Sequence, residues 1–135
     1  VAAIPHGDHS AAAAEATARI ALFVFDDANR NGGLTYVNHV LTMRSPLFAG
    51  ILEAKNLRAS KHVRVVGDPI SNVRTHVDRI AGNSADVRVS YHYPAAQGVT
   101  NSGDVTDDYP PFDATEIYVM SYVGDQWRLS TTKAP

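Results

Sequence analysis

The chain has no cysteine, a single tryptophan and only two methionines among its 135 residues. The absence of cysteine excludes disulfides, thiolate metal sites and thiol nucleophiles, and it removes the usual compositional clue to redox compartment. Long apolar runs are missing too. The stretch Ile20 to Phe25 is far shorter than the roughly 20 residues a membrane-spanning helix needs, so no span is expected in this chain. Positive charge is also scarce. The formal net charge is −2, whereas general nucleic-acid binding needs a surplus of base, so no nucleic-acid partner is expected. No Gly-x-Ser-x-Gly, no His-Glu-x-x-His and no phosphate-cradling glycine loop occurs, and no cofactor is expected.

What remains is sufficient for one core. The hydrophobic fraction is 44%, and the length is that of a single domain. The expected organisation is a flexible lead-in over residues 1–9, where Pro5, Gly7, His6 and His9 show no period, followed by one α+β domain over residues 10–135. The chain starts at Val1 without an initiator methionine. That start leads to the expectation of a processed, secreted or extracytoplasmic product.

Charge is unevenly spread. Seven bases stand against three acids from Lys55 to Arg88, whereas Asp104, Asp107, Asp108, Asp113 and Glu116 follow one another without a base. Two solvated surfaces of opposite sign account for this pattern, and docking of an acidic protein partner is the alternative.

Periodicity divides the chain into helices followed by strands. Asp8 or Ser10 can cap a helix that begins in the alanine run Ala11 to Ala18, continues through Ile20 to Phe25 and stops at Asp26 to Gly33. A second helix is expected from about Leu34 to Met43, and a third from Pro46 to about Asn56. His62 to Val66 reads as a strand. Val73 to Ala81 and Ala85 to Tyr93 read as a hairpin with the loop Gly82-Asn83-Ser84. That loop pairs Val77 with Val89, Thr75 with Tyr91 and Val73 with Tyr93, leaving Arg74, His76, Asp78, Arg88, Ser90 and His92 on the other face. Pro94 to Phe112 reads as a long irregular loop, and Thr115 to Val123 with Gln126 to Thr132 as a closing hairpin turned at Gly124-Asp125.

Three features carry candidate chemistry. Asp27 to Asn38 matches several positions of a calcium-binding loop, but Asn38 stands where a bidentate glutamate completes the shell. The expectation is a glycine-terminated helix and no metal. His76, Asp78 and His92 share a strand face and, with Tyr91 as a donor, form the candidate acid–base set; an ordinary solvent face in which Asp78 pairs with Arg88 is the alternative. Phe23, Val89, Tyr91, Tyr93, Tyr118 and Trp127 are the candidate pocket lining, or else core filler beneath the helices.

The long first helix, the step Phe25-Asp26-Asp27-Ala28-Asn29-Arg30-Asn31-Gly32, the segment Ser45-Pro46-Leu47-Phe48 and the hairpin Gly124-Asp125-Gln126-Trp127-Arg128-Leu129-Ser130 together resemble the nuclear-transport-factor-2-like superfamily. The resemblance covers roughly Ser10 to Thr132. It implies N-terminal helices packed on a curved antiparallel sheet, a cone with a central pocket, and a homodimer formed through the sheet. It transfers no catalytic set. The functional expectation is a non-catalytic domain for a small apolar ligand or a protein partner, the alternative being a small cofactor-independent acid–base enzyme.

Overall fold

The computed structural model describes residues 3–135. Helix α1 (Ala11–Asn31) is followed by a single turn, α2 (Val37–Val40), and by α3 (Pro46–Lys61). Seven strands come next: β1 (Val63–Gly67), β2 (Ser71–Ala81), β3 (Ser84–Tyr93), β4 (Ala96–Thr100), β5 (Val105–Tyr109), β6 (Phe112–Val123) and β7 (Gln126–Lys133). The class is α+β as expected, with two antiparallel sheets, β2-β3-β6-β7 and β1-β4-β5.

Helix α1 starts where Ser10 Oγ accepts from the Ala13 amide, which satisfies one of the free donors of the first turn. It ends at Gly32, in the left-handed region at φ 73°, whose amide donates to the Ala28 carbonyl. Ala14, Ala18, Ala21 and Ala28 are fully buried. Their spacing places small side chains on one face, so the helix axis can come close to Val87, Val89, Met120 and Leu129 of the sheet core. The alanines thus serve packing as well as helix propensity.

Polar side chains of α1 also tie down the outermost strand. Glu15 accepts from the Val77 amide at 3.0 Å, and Arg19 donates to the Val73 carbonyl at 3.2 Å. These bonds occupy backbone groups on the free edge of β2, a row that would otherwise be open to another strand. One α-helical turn separates the two side chains. At the far end of the helix, Arg30 donates to the Gly67 carbonyl of β1 at 3.1 Å, so α1 is tethered to both sheets.

Three strands pass from one sheet into the other, and each link contains proline: Asp68-Pro69-Ile70 between β1 and β2, Pro94-Ala95 between β3 and β4, and Pro110-Pro111 between β5 and β6. Proline lacks the amide that would continue a ladder. The expected irregular loop from Pro94 to Phe112 is therefore a correction: it is largely the β4–β5 hairpin. β5 is exposed along its whole length and carries Asp107 and Asp108, which gave no strand period; its pairing with β4 supplies the order.

The β2–β3 hairpin also corrects the expected register. Ala81 faces Ser84, so the turn is the two residues Gly82-Asn83, with Gly82 at φ 57°. Arg79 faces Asp86 while Val77 faces Val87, which leaves Asp78 as an extra residue in a β-bulge. The bulge restores the alternation that a two-residue turn would otherwise invert. Val77 opposes Val87 rather than Val89, and Thr75 opposes Val89 rather than Tyr91, yet the apolar and polar faces still separate.

α2 is shorter than expected because β7 takes the carbonyls of this segment. Arg128 donates to the carbonyls of Asn38 and Leu41, and Gln126 to that of His39. α3 runs five residues beyond Asn56, to Lys61. It starts with Ser45 as its cap, and Ser45 Oγ donates at 2.6 Å to the carbonyl of Ser130, the bulged residue of β7. Over its described part the lead-in makes contacts with the β2–β3 and β6–β7 hairpins. His6 Nδ1 lies 3.3 Å from Asp125, the His9 ring packs on Tyr122 and Trp127 with centroids 4.5 Å and 4.9 Å away, and His9 Nε2 meets Asn83 Oδ1 at 3.0 Å. Val1 and Ala2 lie outside the described residues.

Gly67 sits where Arg30, β1 and β4 meet. A methyl group placed there would come within 2.9 Å of the Ala95 carbonyl oxygen and 3.0 Å of the Ala96 Cβ. We predict that Gly67→Ala costs about 1–3 kcal/mol through overpacking, measured by urea unfolding, whereas Gly124→Asn at the β6–β7 turn is far milder because nothing lies within 4 Å and asparagine tolerates the left-handed φ of 67° there. Equal losses at both positions would contradict the junction described here.

Candidate functional site

Strand alternation splits the acid–base set read from the sequence. His76, Asp78 and His92 project on the face of β2 and β3 turned away from α1, whereas Tyr91 is on the opposite face. His76 Nδ1 lies 3.1 Å from Asp78 Oδ1, and its side chain is 76% exposed. Asp78 also accepts from Arg88 Nη2 at 2.9 Å; the guanidinium first, and His76 second, hold its carboxyl below the usual range. His92 is elsewhere. It pairs with Asp113 at 2.8 Å and faces Ser71, while His76 faces Arg88, four residues and about 13 Å away along β3. The structure therefore builds two separate His–Asp pairs on a solvent-facing surface and does not bring the three residues together.

Asp27 to Asn31 forms the last turn of α1, which Gly32 ends, the glycine-terminated helix expected of this stretch. Asp27 Oδ1 accepts from the Asn31 amide at 2.7 Å. Residues four apart share a helix face, so Asp27 and Asn31 meet, whereas Asn29, two positions from each, points away and the three side chains do not converge on one point.

The groups that do converge are on the inner face. A cavity of about 380 Å³ lies between α1, α3 and the four-stranded sheet. Leu22, Phe25, Asp26 and Asn29 come from α1, Leu47, Gly50 and Ile51 from α3, and Tyr91, Tyr93, Glu116, Tyr118 and Thr132 from β3, β6 and β7. It opens beneath the C-terminal half of α1, where Leu22, Phe25, Asp26 and Asn29 form a face beside the alanines. Of the six residues expected to line a pocket, Tyr91, Tyr93 and Tyr118 do so here. Val89 and Trp127 are fully buried core, and Phe23 lines a separate cleft of about 480 Å³ with Ile20, Val24 and Tyr36 on another face of α1.

The polar end of the cavity is organised by two carboxylates. Asp26 accepts from Arg30 Nε at 2.8 Å, both side chains being about nine-tenths buried. Arg30 in turn lies 4.8 Å from the centroid of the Tyr93 ring, which stacks on Phe112 at 5.1 Å. Glu116 is half-buried and accepts a long hydrogen bond, 3.4 Å, from the Tyr91 hydroxyl. Burial first, and the Glu116 charge second, push the Tyr91 hydroxyl up to about 12. The same two causes, in the same order, raise Tyr118 further, and burial followed by Asp26 raises Tyr93. These phenols therefore stay neutral, as hydrogen-bond donors, at ordinary pH.

Sequence reasoning missed Asp26 and Glu116 as site residues. Both left a signal. Asp26 stands four residues before Arg30 on the same helix, the spacing of a helical ion pair. Glu116 alternates with Tyr118 and Met120, so it lies on the buried face of a strand whose other acid, Asp113, points outward.

An alkaline titration checks this environment. An unfolded tyrosine ionises near 10, while folded Tyr91 holds its proton to about 12. Its contribution to stability is complete below pH 10 and falls as pH rises from 10 to about 12, because only the unfolded chain loses the proton. Urea midpoints followed across that window are expected to fall more steeply in the native protein than in Tyr91→Phe, and an unchanged slope would place Tyr91 in water.

No protein-family model matches the chain, and no curated protein matches it. Among solved structures, the chain is similar to the crystal structure of the intermembrane space region of the chloroplast protein ARC6, with a TM-score of 0.67 and 12% sequence identity over 93% of this chain and 96% of that one. At that identity the likeness establishes a shared fold: N-terminal helices laid on antiparallel sheets.

Proposed function

We propose that the chain is a non-catalytic small-ligand-binding domain of the nuclear-transport-factor-2-like type, a cone whose central pocket is the cavity between α1, α3 and the sheet. One observation carries the proposal: a cavity of about 380 Å³, within the range of small-molecule sites, whose wall combines apolar side chains of α1 and α3 with tyrosine hydroxyls and two carboxylates. An amphipathic ligand would place its body against Leu22, Leu47, Ile51 and Ile70 and its head near Tyr91 and Glu116. Dimerisation through the outer sheet face and an extracytoplasmic location belong to the same proposal.

Gly50 offers a direct test. It lines the cavity from within α3, and a Cβ there would meet nothing within 4 Å. Gly50→Phe fills the cavity while replacing a poor helix former, so the fold should be retained. Binding of Nile red, an uncharged solvatochromic dye, is expected to weaken about tenfold or more in Gly50→Phe and to persist in Gly50→Ala. Equal dye binding in both variants, or none in the native protein, would refute the pocket.

A second reading has one observation in its favour. The Tyr91–Glu116 pair sets a carboxylate and a neutral phenol on the same cavity, the combination an acid–base enzyme uses to move a proton. It predicts deuterium exchange at the α-carbon of a cyclic ketone in D₂O, abolished by Glu116→Gln. Exchange no faster than buffer alone would leave the binding domain as the function.

A further inference from the structure

The cavity's charge and its aromatic walls specify the ligand's head group. Asp26 is neutralised by Arg30 at 2.8 Å, whereas Glu116 has no cation within ion-pair distance among the described residues. Nearby bases are engaged elsewhere: Lys133 Nζ with Asp86 at 3.2 Å, Arg88 with Asp78, and Arg58 with the Ala28 carbonyl. One carboxylate therefore remains without a counter-ion in a cavity whose wall also carries tyrosine hydroxyls and apolar side chains. A cation entering the cavity would find in Glu116 a carboxylate with no ion-pair partner to displace.

Rings line the same cavity. Phe25, Tyr91 and Tyr118 line the cavity with Glu116, and aromatic faces attract organic cations through their quadrupoles. The protein already uses this interaction at the cavity's edge, where the Arg30 guanidinium lies 4.8 Å from the centroid of Tyr93. The Tyr118 hydroxyl lines the cavity without a hydrogen-bond partner among the described residues, which leaves a further oxygen for a head group.

We infer that the cavity selects an organic cation, an ammonium borne on an apolar body, with Glu116 as its counter-ion and Phe25, Tyr91 and Tyr118 as its aromatic surround. The inference rests on the ligand-binding reading above and adds the sign of the head group. An anionic amphiphile would face Glu116 and be rejected, and a neutral one would gain only its apolar burial.

Three probes of nearly one shape separate the possibilities in an NMR titration of the full chain: phenyltrimethylammonium, its uncharged isostere tert-butylbenzene, and benzenesulfonate. The cation is expected to bind roughly tenfold tighter than the isostere, and the sulfonate not at all. Glu116→Gln is expected to erase the difference, with shifts confined to α1, α3 and β6, while Asp113→Asn on the outer face leaves it intact. Equal binding of cation and isostere, or a preference that survives Glu116→Gln, overturns the inference and leaves the pocket standing. Failure of all three probes to bind, together with loss of the Nile red response, overturns both. Retention of the native unfolding midpoint in Glu116→Gln shows that the loss is one of recognition, not of folding.

Discussion

The closeness of α1 to the four-stranded sheet is the constraint from which the rest of the structure follows. Ala14, Ala18, Ala21 and Ala28 present methyl groups where larger side chains would hold the helix off. Once α1 is seated, Glu15, Arg19 and Arg30 fall beside Val77, Val73 and Gly67, so the helix runs antiparallel to the β1–β2 path and reaches both sheets. Helix and sheet cannot remain in full contact along its whole length. Where the lining of α1 changes to Leu22, Phe25, Asp26 and Asn29, space opens beneath it.

The proline links give the sheet its division. Three neighbouring strands break at Pro69, Pro94 and Pro110-Pro111, so the break passes across adjacent strands and two sheets form from what would otherwise be one ladder. Arg30 braces this junction. Its guanidinium joins Asp26, the Gly67 carbonyl and the Tyr93 ring, groups from α1, β1 and β3. A buried ion pair of this kind is weak evidence for stability, since desolvation opposes the attraction between the charges. Its evident effect is geometric: it fixes where the last turns of α1 lie, and so the depth of the cavity beside them.

The two faces of β3 show how a period of two assigns roles. Val87, Val89 and Tyr91 point toward α1, while Arg88, Ser90 and His92 point away. A tyrosine and a histidine adjacent in sequence therefore belong to different environments. Pairs such as His76–Asp78 and His92–Asp113 are surface hydrogen bonds of small energetic consequence. By contrast, Glu116 lies on the inner side, where the lower polarity of the surroundings strengthens its effect on every neighbouring hydroxyl.

Much of the fold was legible in the residues themselves. The Ser10 cap, the alanine run, Gly32, Ser45-Pro46 and the Gly124-Asp125 turn report local backbone preferences, and local preferences can be read without knowing the neighbours. α1, the start of α3 and the β6–β7 hairpin follow from them. The exposed strand β5, the bulge at Asp78 and the shortness of α2 could not be read this way, because each depends on a partner distant in sequence: β4 for the first, the register of β3 for the second, Gln126 and Arg128 for the third. The same distinction governs the site. Sequence determined that tyrosines would sit on inward strand positions, since alternation is local. Only the tertiary structure decided that Asp26, from the first helix, and Glu116, ninety residues later, would share one cavity, that the former would be neutralised by Arg30 and the latter would not, because charge compensation depends on distances that the chain acquires when it folds.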